Sequence, residues 1–417
     1  MAKRNVMGAL LAVTVALAAA CGGTGGGGTG TAVSAPAATT PATTPTFFAA
    51  DARPEPQAPL ERNPVAWPFT AASIWNLPLG RDARRVPAGL TLSRGGVSID
   101  EDILVLDPTA PPVDIVEHNA GWDPNLVRCN RLTGNVLYRG VPIPSGFVTD
   151  PGFLGATPNH SAAILLADGD TVIQTQPFHR CQAGGPAVSQ FRWAQVSLRN
   201  GDGIAGAHGG SQMSSIGGTI RLGELVPGGA LRHALKINLD CAAVCTYNPA
   251  DPDGSPGFRW PALSADADAA ARYRGKVAAV QMGALLALPA AFDVDGLRTE
   301  PGRMVARALQ RYGAYVVDDT GYASFALTTE WGPNGRVADE FERVWGFPID
   351  GGTEPSCTDD GPECAWARDI ADVVAALDVI DDNGPTTVGG AGARVFRCAP
   401  PFAGQAATPA PAGCPAN

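Results

Sequence analysis

Apolar and polar residues alternate in short runs through the first half of this chain, and apolar stripes at three- and four-residue spacing take over in the second. Val97 to Leu106, Val113 to Val116 and Asn135 to Ile143 alternate and are broken by Asp107-Pro108 and Pro111-Pro112, so each predicts a strand. Ser161 to Leu166 and Thr171 to Gln176 flank Asp168-Gly169, where both residues tolerate positive φ, and predict a hairpin. Phe191 to Leu198 and Leu231 to Leu239 predict two further strands. Met304, Val305, Ala308, Leu309 and Tyr312 lie on one helical face between Thr299-Glu300-Pro301 and Gly313, and predict a capped helix followed by a strand, Ala314 to Val317. Trp366, Ile370, Val373, Val374 and Leu377 form a second helical stripe, and Phe341, Val344 and Trp345 a shorter one. Such stripes are faces that pack on a sheet. Many short strands punctuated by Gly and Pro, then helices, predict a mainly β fold with packed helices and a β-sandwich or jelly-roll-like core.

The N-terminus breaks this pattern. Lys3 and Arg4 precede an apolar stretch, Met7 to Ala20, that closes on small residues before Cys21. A basic head, a short apolar run and a small-residue cleavage site make an export signal. A cysteine directly after that site resembles the lipobox of bacterial lipoproteins, which implies lipidation at Cys21. Residues 21–65 are rich in Gly, Thr, Ala and Pro, too poor in apolar surface to offset their ordering entropy, and predict a disordered tether. The expected organisation is a signal peptide over 1–20, that tether, a β-rich core over 66–330, a helical extension over 331–402 packed on the core, and a tail over 403–417. Beyond the signal, no run approaches the ~20 apolar residues that span a bilayer.

Export changes the meaning of the cysteines. Apart from Cys21, eight remain: Cys129, Cys181, Cys241, Cys245, Cys357, Cys364, Cys398 and Cys414. An even set outside the cytosol predicts disulfides, and proximity pairs neighbours in this order. The paired Cys/His spacings of a zinc site are missing, so no metal and no cofactor are expected. A net charge of -10 argues against a nucleic-acid partner.

The chain has five histidines, all between His118 and His233, which places any histidine chemistry in the strand-rich half. Alternation puts His233 on the face of Leu231, Leu235, Ile237 and Leu239, with Arg232, Lys236 and Asn238 opposite, a polar row able to hold an anionic substrate. A two-residue turn at Asp168-Gly169 puts His160 with Ile173 and Thr175. A three-residue turn would line up His160, Gln174 and Gln176, and amides suit sugar hydroxyls. His208 sits in Ala207-His208-Gly209-Gly210-Ser211, where glycines let backbone approach a ligand. No G-x-S-x-G elbow accompanies it, which weakens a serine-hydrolase reading. Asp100-Glu101-Asp102, Asp114 with Glu117, and Asp318-Asp319 supply the paired carboxylates that glycoside hydrolysis needs.

Ile216 to Leu225, Arg232-His233-Ala234-Leu235 and Ala306 to Asp318, together with the His160 hairpin, resemble a broad, functionally uncharacterised group of exported bacterial (lipo)proteins. The resemblance implies no mechanism. Where related sequences tend toward Tyr-Glu-Leu-Tyr, this chain has Ile173-Gln174-Thr175-Gln176, so a glutamate acting there would be missing. The expectation is a lipid-anchored extracytoplasmic protein whose partner is polysaccharide, a polysaccharide lyase or glycoside hydrolase. In the lyase form His233 or His208 and Tyr315 serve as base and acid, His160 stands as a further catalytic candidate, and Arg232, Lys236, Gln174 and Gln176 hold the sugar. The alternative is a non-catalytic carbohydrate-binding or cell-surface structural module, with Trp67, Trp75 and Trp122 stacking on sugar.

Overall fold

The alternating runs do become strands. The structure, a computed structural model, describes residues 59–90, 96–149, 158–251, 254–350, 361–405 and 411–415; the export signal, Cys21, most of the tether and Cys357 lie outside the described residues. In chain order the strands are β1 (Arg85–Pro87), β2 (Val97–Val105), β3 (Pro112–His118), β4 (Leu132–Pro142), β5 (Ala162–Leu165) and β6 (Thr171–Gln176). The short β7 (Ala187–Ser189), β8 (Phe191–Arg192), β9 (Val196–Ser197) and β10 (Ala205–His208) follow, then β11 (Leu235–Leu239). After α1 (Ala269–Arg272) come β12 (Leu285–Ala287), α2 (Glu300–Arg311), β13 (Ala314–Asp319), β14 (Phe325–Gly332), β15 (Gly335–Arg336), α3 (Val337–Trp345), α4 (Pro362–Ala375) and β16 (Asp378–Ile380).

The fold is mainly β with packed helices. Twelve strands form one mixed sheet in the order β1-β16-β12-β13-β11-β14-β2-β5-β6-β8, with β15 on β14 and β9 on β6, and β4-β3-β7 form a second sheet. Strand β11 runs parallel to β13, and β2 runs parallel to both β14 and β5, so the pairing does not display the antiparallel order expected of a jelly roll. Side chains on β2, β5 and β6 alternate between two cores. Ile103, Val105, Ala162, Ile164 and Ile173 meet Ile115, Tyr138 and Val141 of the small sheet. Leu104, Ala163, Leu165 and Val172 face the main core, and by the same period Asp100 and Asp102 share the face of Leu104.

Two predicted strands are shorter than their apolar runs. Phe191 to Leu198 splits into β8 and β9, and the run from Leu231 forms a strand only from Leu235, leaving His233 in the bend before it. The hairpin adopts the two-residue-turn register: Ala163 pairs with Gln174 and Ala162 with Thr175, so His160, Gln174 and Gln176 do not line one face.

Helix α2 starts as its sequence requires. Thr299 Oγ1 accepts from Gly302 N at 3.1 Å, a cap worth about 1 kcal/mol, and Asp369 of α4 accepts from Thr299 N and Oγ1 at 2.7 and 2.6 Å. The C-terminal segment contributes strands as well as helices, since β16 lies between β1 and β12. Residues 62 and 402 form a β-bridge, and the buried Arg62 guanidinium stacks 3.7 Å above the Phe402 ring centre, so ordered structure already includes Arg62. Disulfides join Cys129–Cys181, Cys241–Cys245 and Cys398–Cys414, and Cys364 is also disulfide-bonded. These bonds fit an oxidising, extracytoplasmic environment. No helix among the described residues is long and apolar enough to cross a membrane.

Candidate active site

Strands β2, β14 and β11 lie side by side, and their register decides which charges meet. Asp100 stands opposite Thr328, Asp102 opposite Glu330, and Asn238 opposite Ala326. Lys236 therefore reaches across β14 to Asp102, placing Nζ 2.5 Å from Oδ2, and also donates to Ser214 O at 2.8 Å. Thr219 Oγ1 donates to the same carboxylate oxygen at 2.6 Å, and His208 Nδ1 donates to Oδ1 at 2.8 Å. Asp102, His208 and Lys236 are all fully buried. Burial works against the Asp102 charge, but Lys236 and His208 outweigh it and hold the carboxyl below its usual range. The other ring nitrogen of His208, Nε2, is buried without a hydrogen-bond partner and lies 3.4 Å from Asp100 Oδ2. Asp100 accepts from Asn238 Nδ2 at 2.9 Å and is partly open to solvent.

The loop after β10 covers this face. At Gly209 and Gly210 the backbone comes so close that a Cβ would stand 2.2 Å from Asp318 Cγ and 2.4 Å from Asp266 Oδ1, so both positions require glycine. Gly210 N donates to Asp318 Oδ1 at 2.7 Å, and Asn159 Nδ2 donates to Asp318 Oδ2. Tyr273 holds Asp266 through a 2.6 Å hydrogen bond. Burial, reinforced by the charges of Asp266 and Asp100, pushes the Asp318 carboxyl well above the ordinary carboxylate range. Asp318 thus holds its proton more tightly than an ordinary carboxylic acid, beside Asp266 and Asp100. On the far side Asn159 Oδ1 accepts from the indole N–H of Trp122 at 2.9 Å, and Trp122 is exposed.

Thr219 lies within Ile216 to Leu225 and Asp318 closes Ala306 to Asp318, while Lys236 lies outside the three stretches, directly after Leu235. Of the predicted residues, the structure brings together His208 and Lys236. The polar row of Lys236 and Asn238 faces neither solvent nor an open anion site, because Asp102 and Asp100 from β2 engage it. Gln174 is held in the fold: Oε1 accepts from Ser215 N at 2.8 Å and Nε2 donates to Ala205 O at 3.0 Å. Gln176 is buried with Oε1 unpartnered. His233 makes separate contacts, donating from Nε2 to Glu224 at 3.1 Å and from Nδ1 to Ala234 O at 2.9 Å. Burial opposes its charge, and Glu224 outweighs that and raises its pKa. Tyr315 lies inside the core with its ring edge-on to Trp75 at 5.3 Å, so it cannot touch a polymer. Trp75 is equally buried, which removes it from any stacking surface, and Arg232 is half-buried in the bend before β11.

His160 belongs to a second cluster. Its ring lies 4.6 Å from His179 and 5.3 Å from Trp331, and Arg128 Nη1 donates to His179 Nε2 at 2.5 Å. Burial, then the Arg128 charge, lowers His160 to about 3; burial, His160 and Arg128 lower His179 to about 2. Both are neutral, and neither sits among the carboxylates.

Sequence reasoning missed Asn159, whose one signal is its place directly before His160. It also paired Asp318 with Asp319, whereas adjacent strand positions face opposite ways. Asp319 accepts from Cys241 N at 2.9 Å and pairs with Arg272. Among the described residues no group of three or more His, Cys, Asp and Glu side chains is arranged to hold a metal ion. Comparison with protein-family models, curated proteins and solved structures returns no match.

Proposed function

We propose that this protein is a glycoside hydrolase acting on polysaccharide outside the cytosol, held at a membrane through a lipid on Cys21. Asp318 is the general acid and Asp100 the base. The observation that carries the reading is the buried carboxyl of Asp318, its pKa raised by burial and by Asp266 and Asp100, linked through Asn159 to an exposed tryptophan. Asp318 gives its proton to the glycosidic oxygen as the bond from that oxygen to the anomeric carbon breaks. A water attacks the carbon and passes its proton to Asp100, so one water is consumed per bond. Asn238 positions Asp100 through its 2.9 Å hydrogen bond, and Asp102 fixes the His208 ring beside it. A lyase would need a tyrosine at the substrate, but Tyr315 is buried.

The test is incubation of the purified protein with a panel of polysaccharides, read by reducing ends and by ultraviolet absorbance of unsaturated products. Release of reducing ends without unsaturated products is expected, with a loss of about 100-fold or more in Asp318→Asn. Unsaturated products, or undiminished activity in that variant, would overturn the assignment. Binding without cleavage would leave the non-catalytic carbohydrate-binding module in its place.

A further inference from the structure

Trp122 and Phe191 stand out on the surface, each more than a third exposed, with rings 6.0 Å apart and inclined by only 20°. Both are fixed from outside the pair. The Trp122 indole N–H is tied to Asn159, and Phe191 is braced edge-on by Trp193 at 5.8 Å. Arg192, between them in sequence, is pinned over the Tyr138 ring at 4.7 Å. Rings immobilised in this way form an apolar ledge that loses little entropy on binding.

The polar groups beside the ledge are unusual. Gln176 is the cross-strand partner of Phe191, is 4% exposed, and has no hydrogen-bond partner for Oε1. Gln190, directly before Phe191, also buries an unpartnered Oε1. A buried acceptor left unmatched is unfavourable, so two of them beside one exposed aromatic pair point to a ligand that supplies hydroxyl donors. A pyranose has both parts: an apolar C–H face for the rings and a rim of hydroxyls for the amides. The ledge also runs into the carboxylates, because Asn159 touches Trp122 on one side and Asp318 on the other. A chain leaving the ledge toward Asp318 meets Asp100 and Asp266, which repel acidic sugars.

We propose that Trp122, Phe191, Gln176 and Gln190 form a sugar-binding subsite that directs an uncharged polysaccharide chain, not a polyuronate, toward Asp318. The inference rests on the hydrolase reading for its direction, and its binding test is independent of cleavage. The full-length Asp318→Asn protein is run in native gels containing hydroxyethylcellulose, xylan, mannan or dextran, and in parallel gels containing polygalacturonate or alginate. Retardation by at least one neutral polymer and by neither acidic one is expected. Trp122→Ala and Phe191→Ala, each made in the Asp318→Asn background, should each weaken that binding about tenfold or more, while Leu60→Ala, on a distant part of the sequence and 85% exposed, leaves it unchanged. Circular dichroism melts of both ledge variants report folding. Retardation only by acidic polymers, no retardation by any, or unchanged binding in folded Trp122→Ala and Phe191→Ala would overturn the subsite. Neutral-glycan binding that depends on the ledge, with no reducing ends from the unmutated protein, would keep the subsite and remove the hydrolase.

Discussion

The neutral histidines His160 and His179 make the stability of this protein sensitive to mild acid in a way that one substitution can isolate. In the unfolded chain each titrates near 6.5; in the fold His160 is held at about 3 and His179 at about 2. Between these values the unfolded chain binds protons that the native state refuses, so stability is present above about 6.5 and falls as the pH drops toward 3. From pH 7.5 to 5.0, at about 1.4 kcal/mol per pH unit below 6.5, each histidine removes about 2 kcal/mol. Asp318 has the opposite sign, because its raised pKa makes the native state the better proton binder, so total stability alone is no test. The difference between the unmutated protein and His160→Asn cancels such contributions. Asparagine suits the site because His160 has a φ of 41°, which Asn adopts more readily than most residues. Guanidinium unfolding at both pH values should show His160→Asn losing about 2 kcal/mol less than the unmutated protein on acidification, whatever its stability at pH 7.5. Equal losses would refute the claim that His160 is buried uncharged.

Lys236→Met leaves the Asp102 charge without its strongest partner and should cost about 3–5 kcal/mol in guanidinium unfolding, while adding Asp102→Asn restores part of the loss. Asp318→Asn should remove the stability that the raised Asp318 pKa supplies at acid pH and that is lost as the pH rises, so its melting temperature should fall less with rising pH than that of the unmutated protein, as read by thermal melts across pH. Replacing Cys129 and Cys181 by serine opens a loop with a sequence separation of 52 and should remove about 4 kcal/mol, measured by denaturant unfolding with the other disulfides intact.

Local signals carried far into this fold. The Thr299 cap, the hairpin at Asp168-Gly169 and the neighbouring cysteines each act within a few dozen residues, where pattern and geometry coincide. The parallel neighbours of β2 are not legible, because β5 and β14 flank it in the sheet yet both come much later in the chain, and no turn records the pairing. The same non-locality hid the site. Lys236 and Asn238 read as a polar row for solvent or an anion until β2 delivers Asp102 and Asp100, more than 130 positions earlier. The alternating leucines around His233 predict a strand position, yet Glu224 holds it in the bend ahead of β11. His208 was found through its glycines, which the close approach of Asp318 and Asp266 explains.

The β1–β16 pair and the bridge between Arg62 and Phe402 join the beginning and the end of the folded chain. The N-terminal member of each pair is made first, so the outer edge of the large sheet waits for almost three hundred further residues before it can close. Deleting even the last few dozen residues would therefore strand β1 and Arg62 without partners, and a shortened chain would present an open sheet edge to its neighbours.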